Sequence, residues 1–283
     1  MRRINIPKGN GETRPLGIPI IYDRVVQQCI KQVIGPIIAR KFHPNSFGFR
    51  PGRSPEHAVA QNNNLINIAK FHFVVDIDIK GFFENINHNK LIKQLRAIGI
   101  KENKLISIIK EMLKAKTKLS TGEIIQNSKG VPQGGVLSPL SANVVLNELD
   151  WWIDRQWTGM KLEREYSNTA NKEKSLRIRT KLDEVKIVRY ADDFKLYCRS
   201  IGVAQKFFKL TKLFLRNKLK LEISEKKSKI VNLRKQSSEF LGIRITIIKN
   251  RDRRTVRTFI SNKAKINIKR TIAIKVKCKN IIR

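Results

Sequence analysis

The sequence holds few of the residues that build disulfide frameworks or zinc sites. It has 3 Cys and 4 His among 283 residues, and neither type recurs at the short spacing of paired metal ligands. We therefore expect neither a disulfide-bonded scaffold nor structural zinc. The residues concerned are Cys29, Cys198, Cys278, His43, His57, His72 and His88.

Long apolar segments are also missing. No run reaches the roughly 18 apolar residues of a membrane-spanning helix, and the first residues do not show the pattern of a signal peptide. We expect a soluble protein of the bacterial cytoplasm without a membrane partner. The Ile-, Lys- and Asn-rich composition is typical of an AT-rich genome, so a chloroplast or mitochondrial location stays open.

Acidic residues are scarce. The chain has 23 Asp plus Glu against 59 Lys plus Arg, which gives a formal net charge of +36. An excess of this size favours binding to a polyanion. Nucleic acid is therefore the expected partner.

Two adjacent acids separate two apolar, β-branched segments. Asp192 and Asp193 lie between Val185–Arg189 and Phe194–Cys198, so both carboxylates should be at the tip of a hairpin. Asp is common in turns for a local reason, because its side chain can bond its own backbone. A turn without chemistry is thus the plain alternative for this pair.

A second pair of acids lies on a predicted strand. Side chains alternate along Phe73–Ile79, and Asp76 and Asp78 share the polar face. Asp is depleted in strands, which weakens the interpretation as a solvated surface. Carboxylates from two strands can converge on Mg²⁺, which prefers hard oxygen ligands and keeps positions for phosphate oxygens. Two such ions would support an in-line phosphoryl displacement.

Strand and helix patterns alternate along the chain and predict an α+β fold with a mainly antiparallel sheet. A tight turn is expected at residues 8–11, and residues 163–181, which are almost devoid of apolar side chains, predict an exposed loop or a flexible helical insertion. Pro36 is expected to kink or end the first helix. Helices are predicted at about residues 22–41, 55–70, 88–97, 102–115, 138–157 and 202–220.

Six segments occur in the order and spacing of a known family: Arg14–Pro19, Ser46–Ser54, Asp78–Phe83, Gly130–Leu140, Tyr190–Asp193 and Phe240–Gly242. Together they resemble the motifs of reverse transcriptases. The first two are similar to the group II intron branch, whose proteins combine reverse transcription with intron splicing (maturase) activity. The resemblance implies a right-hand polymerase fold with fingers at residues 1–70 and palm at 71–245. Residues 246–283 would begin the thumb or maturase region and are compatible with disorder.

The resemblance also implies a site for two Mg²⁺ ions, with Mn²⁺ as a possible substitute. Asp78, Asp192 and Asp193 would be the catalytic carboxylates and metal ligands, together with the backbone of Ile79. They would direct the primer 3′ hydroxyl to the α-phosphate of a dNTP. Asp76 is not a ligand position in the family, so we expect a supporting or solvated role for it.

The nucleotide site follows from the same resemblance. Phe83 would exclude a ribose 2′ hydroxyl, although core packing is its plain alternative. Gln133 would lie near the incoming nucleotide, and the adjacent glycines would permit close backbone approach. Arg50 and Arg53, with Lys8 nearby, are candidate triphosphate ligands, because guanidinium groups match phosphate geometry.

Two further features are implied. Lys227 resembles the residue thought to protonate leaving pyrophosphate, a role that Lys226 could fill equally well. The segment Phe240, Leu241 and Gly242 resembles the hairpin that grips the primer end.

We therefore expect an RNA-directed DNA polymerase core that acts on an RNA template, a DNA primer and dNTPs, with group II intron RNA as a further partner. Family members carry additional residues before and after the matched segment, so we expect this chain to be truncated at both ends. The alternative is a non-catalytic, RNA-binding maturase remnant that assists splicing. A non-mobile bacterial reverse transcriptase is a weaker alternative.

Overall fold

A computed structural model describes residues 1–7, 13–119, 121–160, 162, 165–250 and 253–281. The strands are β1 Arg2–Pro7, β2 Thr13–Ile18, β3 Phe73–Ile77, β4 Lys116–Lys118, β5 Ile124–Gln126, β6 Val185–Tyr190, β7 Asp193–Cys198, β8 Lys229–Asn232, β9 Ser238–Phe240, β10 Ile243–Asn250 and β11 Arg253–Ile260. The helices are α1 Ile21–Ala39, α2 Pro55–Asn67, α3 Phe82–Asn85, α4 His88–Ile98, α5 Asn103–Leu113, α6 Ser138–Arg155, α7 Thr169–Arg179, α8 Ile201–Phe214 and α9 Asn262–Ile281.

The central sheet has the order β6-β7-β3-β8, and its neighbouring strands are all antiparallel. β3 lies inside this sheet and is covered on both faces. Val75 and Ile77 pack in the main core, whereas Val74 packs in a second core on the opposite face. Burial on both sides explains why β3 consists mostly of apolar residues. The predicted α+β class with an antiparallel sheet is confirmed.

Helices α4, α6 and α8 cover one face of the sheet. Each presents an apolar stripe at helical spacing, and Leu91, Leu146 and Phe207 are almost fully buried in the main core. α8 continues into a π-helical turn, Leu215–Leu219. This layer fixes the sheet from behind.

The other face is covered by α2 and by a three-stranded sheet of order β11-β10-β9. Phe71, Tyr197 and Phe240 are buried between these layers. A separate four-stranded sheet of order β2-β1-β4-β5 lies nearer the start of the chain. β1 and β2 are antiparallel, as the predicted turn requires, but the turn itself and its Lys8 lie outside the described residues.

The predicted helices are confirmed within a few residues. Pro36 lies inside α1, which continues to Ala39. Residues 163–181 include α7, so the helical one of the two predicted forms is observed, and this helix is anchored by Leu176, which is fully buried. Residues 243–250 and 253–260 form the antiparallel strands β10 and β11, and α9 follows at residues 262–281. No helix among the described residues is long and apolar enough to cross a membrane.

Candidate active site

The register of β3 and β7 brings acids from distant parts of the sequence together. Asp76 pairs with Lys195, and Ile77 pairs with Phe194. Continuing this antiparallel register by one residue places Asp78 opposite Asp193. Side chains two residues apart share a face, so Asp78 and Asp193 lie on the same face as the pair Asp76 and Lys195.

These side chains line one cavity of about 320 Å³ at the end of the central sheet. Its walls combine five acids with three lysines, so opposite charges meet in a small polar volume. The lining residues are Asp76, Ile77, Asp78, Asp192, Asp193, Lys195, Lys227, Lys229 and Glu239. The structure thus brings together the three carboxylates and the Lys227 that the sequence predicts.

The hairpin between β6 and β7 sets the position of two of the acids. Tyr190 pairs with Asp193, so Ala191 and Asp192 form a two-residue loop. Ala191 adopts a φ of 58°, in the left-handed region that side chains other than Gly rarely occupy. The tight turn confirms the predicted hairpin and projects Asp192 and Asp193 into the cavity.

A buried polar network supports this turn from below. Arg189 is fully buried and forms a two-oxygen ion pair with Asp150 of α6, with its closest oxygen at 2.6 Å. Its other donors reach the Ala191 carbonyl at 2.8 Å, Asn143 Oδ1 at 2.8 Å and Ser46 Oγ at 2.7 Å. A buried guanidinium paired with a carboxylate fixes the positions of the groups around it, because each of its N–H donors points in a defined direction. Sequence reasoning missed this network.

The backbone of Asp78 is held by the turn before β8. Ser224 N donates to the Asp78 carbonyl at 2.7 Å, and the Asp78 N–H donates to Ser228 Oγ at 3.1 Å. Lys80 N donates to the Glu222 carbonyl, so the two backbone bonds flank Ile79. Because carbonyls alternate along an extended chain, the Ile79 carbonyl turns to the opposite side, where β7 lies.

Asp76 has the supporting role that we expected as one of two possibilities. Its carboxylate forms an ion pair with the buried Lys195 and accepts a hydrogen bond from Ser238 Oγ at 2.9 Å. Lys195 also lies over the ring of Phe240, 5.5 Å from its centroid. Asp76 therefore ties the central sheet to β9.

Asp193 is in the most crowded acidic environment of the cavity. Its carboxyl reaches the surface, but protein atoms that exclude solvent raise its pKa to about 6. Lys195 acts against this rise, whereas the negative charges of Asp76, Asp192 and Asp78 add to it. Lys227 Nζ lies 3.9 Å from Asp78 Oδ2 and supplies a neighbouring positive charge. A divalent cation would relieve this repulsion.

The donor set fits Mg²⁺ in its chemistry. Among the described residues no three His, Cys, Asp or Glu side chains converge closely enough to enclose a metal ion. Mg²⁺ in nucleotide sites does not need such an enclosure, because it binds through one or two carboxylates, waters and substrate phosphates. Asp78, Asp192 and the Ile79 carbonyl are the groups that would hold it.

Phe83 is not among the residues that line the acidic cavity. It is 9% exposed, packs in the main core and meets Phe82 edge to face with ring centroids 5.3 Å apart. Its carbonyl accepts from Val131 N at 2.7 Å. The role of Phe83 as a sugar gate stays a prediction, and its core packing is shown.

Gln133 lines a second cavity of about 300 Å³ with Gly17 and Lys129. The Gln133 carbonyl accepts from Gly17 N at 2.8 Å. A Cβ on Gly134 would lie 2.8 Å from the Gly17 carbonyl oxygen, so this glycine is required for close packing against β2. The close backbone approach that this glycine permits is therefore an approach to Gly17 of β2.

The two Arg residues among the candidate triphosphate ligands differ. Arg50 donates to the carbonyls of Ala39 at 3.2 Å, His43 at 2.8 Å and Ser46 at 2.7 Å. These bonds tie the end of α1 to the following loop and give the guanidinium a structural role, while its role as a phosphate ligand stays a prediction. Arg53 is exposed, lies over the Phe47 ring and lines a cavity other than the acidic one.

The predicted primer grip is a second tight turn. Phe240 pairs with Ile243, so Leu241 and Gly242 form the loop, with φ values of 52° and 77°. Two residues with positive φ are typical of a type I′ hairpin turn. Phe240 itself is fully buried, and Ser261 N donates to the Gly242 carbonyl.

Comparisons with known proteins agree with this architecture. A model of the family described as reverse transcriptase (RNA-dependent DNA polymerase) matches residues 6–245. Protein YkfC of Escherichia coli is 31% identical over 276 residues, which cover 93% of this chain and 72% of YkfC. The group II intron-encoded protein LtrA of Lactococcus lactis is 32% identical, over 87% of this chain and 47% of LtrA.

The fold also matches a solved structure. Apo telomerase from Candida tropicalis aligns with a TM-score of 0.59 at 15% identity, over 87% of this chain and 47% of that chain. This likeness confirms the predicted polymerase fold. The chain spans about half the length of LtrA and of the telomerase. It belongs to the reverse transcriptase family, and within it to the group II intron-encoded reverse transcriptases and maturases.

Proposed function

We propose that this chain is the catalytic core of an RNA-directed DNA polymerase, which extends a DNA primer on an RNA template with dNTPs. The observation that carries the proposal is the convergence of Asp78, Asp192 and Asp193 on one cavity from strands more than 100 residues apart. Acids that serve only to keep a surface hydrated are not expected to cluster in a cavity. Here burial, together with the charges of the neighbouring acids, raises the pKa of Asp193 to about 6.

The residues have separate tasks in this proposal. Asp78 and Asp192 would hold the reacting groups through two Mg²⁺ ions, which when bound activate the primer hydroxyl and offset charge on the leaving pyrophosphate. Lys227 would neutralise or protonate pyrophosphate from its place beside Asp78. Arg189 is a positioning residue because it holds the turn between β6 and β7. Asp76 is a positioning residue because it ties the central sheet to β9.

Asp192→Ala tests the proposal. We expect loss of Mg²⁺-dependent primer extension, while affinity for RNA stays within about threefold, because one charge among many backbone contacts is minor. Glu111→Gln, on the exposed side of α5, is the matched control and should extend normally. Extension near the wild-type rate in Asp192→Ala would sink the assignment.

Metal binding can be read without activity. Mg²⁺ or Mn²⁺ should raise the melting temperature of the wild type, because binding only to the folded state stabilises it. The rise should disappear in Asp78→Asn. An equal rise in both proteins would place the cation elsewhere.

A maturase that binds RNA without catalysis is the second candidate. The net charge of +36 and the similarity to an intron-encoded protein favour it. Under this function the wild type would assist intron splicing without extending a primer, so a splicing assay and a primer-extension assay on the wild type together separate the two candidates.

A further inference from the structure

A basic cavity of about 570 Å³ lies away from the acidic one. It forms where the end of α2, the segment before β3, the segment after β8 and the strands β10 and β11 meet. Its lining contains four Lys or Arg side chains, one His and no carboxylate from the described part of the chain. The lining residues are Asn67, Lys70, His72, Arg234, Lys249, Arg254 and Thr255.

Specific hydrogen bonds hold this cavity in shape. Val256 N donates to Asn67 Oδ1 at 2.7 Å, which fastens β11 to the end of α2. Leu233 N donates to the His72 carbonyl at 2.9 Å. Arg234 Nε donates to His72 Nδ1 at 2.8 Å. Because Nδ1 accepts this bond, the neutral imidazole carries its hydrogen on Nε2 and remains a donor.

The cations of this cavity repel one another. Lys70, Arg234, Lys249 and Arg254 take part in none of the ion pairs among the described residues, and all four are exposed. Burial, and then the charges of Arg234, Arg254, Lys70 and Arg199, lower the pKa of His72 to about 4. An anion bound in this cavity would offset the repulsion among these cations, which have no ionic partner among the described residues.

The cavity is distinct from the proposed polymerase site. His72 and Asp78 flank β3 and are six residues apart, which is about 20 Å along a strand. This distance is about twice the screening length at physiological salt. The cations therefore do not compensate the acidic site, and the sequence motifs of the family do not include them.

We propose that this cavity binds backbone phosphates of an RNA segment outside the polymerase cleft. Exposed Lys and Arg provide the charge, and the Arg guanidinium groups and the His72 Nε2–H provide directed donors for phosphate oxygens. The volume and the number of cations suit adjacent phosphates of one strand better than a single small anion. RNA binding at this cavity requires no catalytic activity and does not depend on the acidic site.

The test compares two triple variants with equal net charge. Lys70→Gln/Arg234→Gln/Arg254→Gln removes cavity cations, and Lys101→Gln/Lys110→Gln/Lys114→Gln removes exposed cations at α5 as a control. The probe is an RNA hairpin without a recessed 3′ end, measured by fluorescence anisotropy. We expect at least tenfold weaker binding for the cavity variant and less than threefold for the control. The log–log salt slope should fall in magnitude by about 2–3 in the cavity variant, as loss of three phosphate contacts predicts.

Further measurements separate folding, catalysis and ligand size. Lys70→Gln/Arg254→Gln keeps the Arg234 bond to His72, and it should show the binding loss with an unchanged melting temperature. If the wild type extends a primer, extension at saturating primer–template should stay within twofold of the wild type in both triple variants. The comparison of RNA affinities can be made whether or not the chain is a polymerase. Equal RNA affinity in the two triple variants would overturn the proposal. So would cavity-dependent stabilisation by inorganic phosphate with no difference in RNA binding, because the ligand would then be a small anion.

Discussion

At the scale of single residues, Phe83 has two testable roles. Its ring is buried in the main core, so Phe83→Val should lower the free energy of unfolding by about 1–3 kcal/mol. If it also borders the nucleotide sugar, the variant should accept ribonucleotides, because bulk that excludes the 2′ hydroxyl is removed. Urea denaturation measures the first effect, and the ratio of dNTP to rNTP incorporation measures the second.

Phe82 offers a matched control for this prediction. It is 3% exposed and packs directly against Phe83. Phe82→Val should lose similar stability and keep the wild-type sugar preference. The same ratio in both variants would leave Phe83 as a core residue alone.

The grouping of the three acids in one cavity could be predicted because its signals are local in sequence. Asp192 and Asp193 stand out because two acids interrupt β-branched segments, and Asp78 because it ends an alternating strand. Arg189 carries no such signal, since its partner Asp150 is 39 residues away and only packing brings them together. A charged residue inside an apolar strand was the one available hint. The structural bonds of Arg50 could not be predicted, because its carbonyl partners depend on the path of the loop.

At the scale of elements, the loop between α1 and α2 supports the acid-bearing turn. A Cβ on Gly48 would lie 2.3 Å from Ala191 N, so the backbone of one segment would have to move. We expect Gly48→Ala to cost about 1–3 kcal/mol of stability through overpacking and to slow primer extension at least tenfold by displacing the turn. Single-turnover extension and thermal unfolding measure both effects.

Gly202 provides the comparison for this loop. It lies in α8. A Cβ added to it would meet no atom within 4 Å apart from its chain neighbours and the backbone of its own helix. Gly202→Ala should keep full extension and gain up to about 1 kcal/mol from helix propensity. Normal extension by Gly48→Ala would show that the turn does not depend on this contact.

Helical periodicity predicted the elements that bury an apolar stripe, and α1, α4, α5, α6 and α8 appear close to the expected bounds. It failed for α7, which is polar on nearly every side and is anchored through Leu176 and an Arg177–Glu184 ion pair. The β9–β10 hairpin was predicted from Phe240, Leu241 and Gly242, but the pairing of β10 with β11 was not, because isolated isoleucines among lysines resemble a basic tail.

At the scale of the whole molecule, two shifted pKa values oppose each other in the pH dependence of stability. His72 has its pKa lowered from 6.5 to about 4, so the unfolded chain binds more protons between these values and stability falls as pH falls. Asp193 has its pKa raised from 3.8 to about 6, so stability there rises as pH falls. The wild type should therefore vary little between pH 6.5 and 4.5.

Two variants should separate these contributions. Asp193→Asn should lose stability on acidification, by at most about 3 kcal/mol, as the His72 shift alone allows. His72→Gln should instead become more stable on acidification. Urea denaturation at several pH values without metal measures both, and parallel curves for the two variants would contradict the assignment of either shift.

Charge over the entire chain predicts a strong dependence of RNA binding on salt. With a net charge of +36, the protein should release counterions from each RNA phosphate that it contacts, and the log–log slope of affinity against salt should have a magnitude of at least about 4. The slope is measured by titrating single-stranded and duplex RNA at several salt concentrations. Asp192→Ala provides the control, because it leaves the cationic surface intact and should give the same slope while extension is lost. A flat response would mean that the basic residues form only a solvated surface, and it would remove the electrostatic basis for RNA as the partner of this chain.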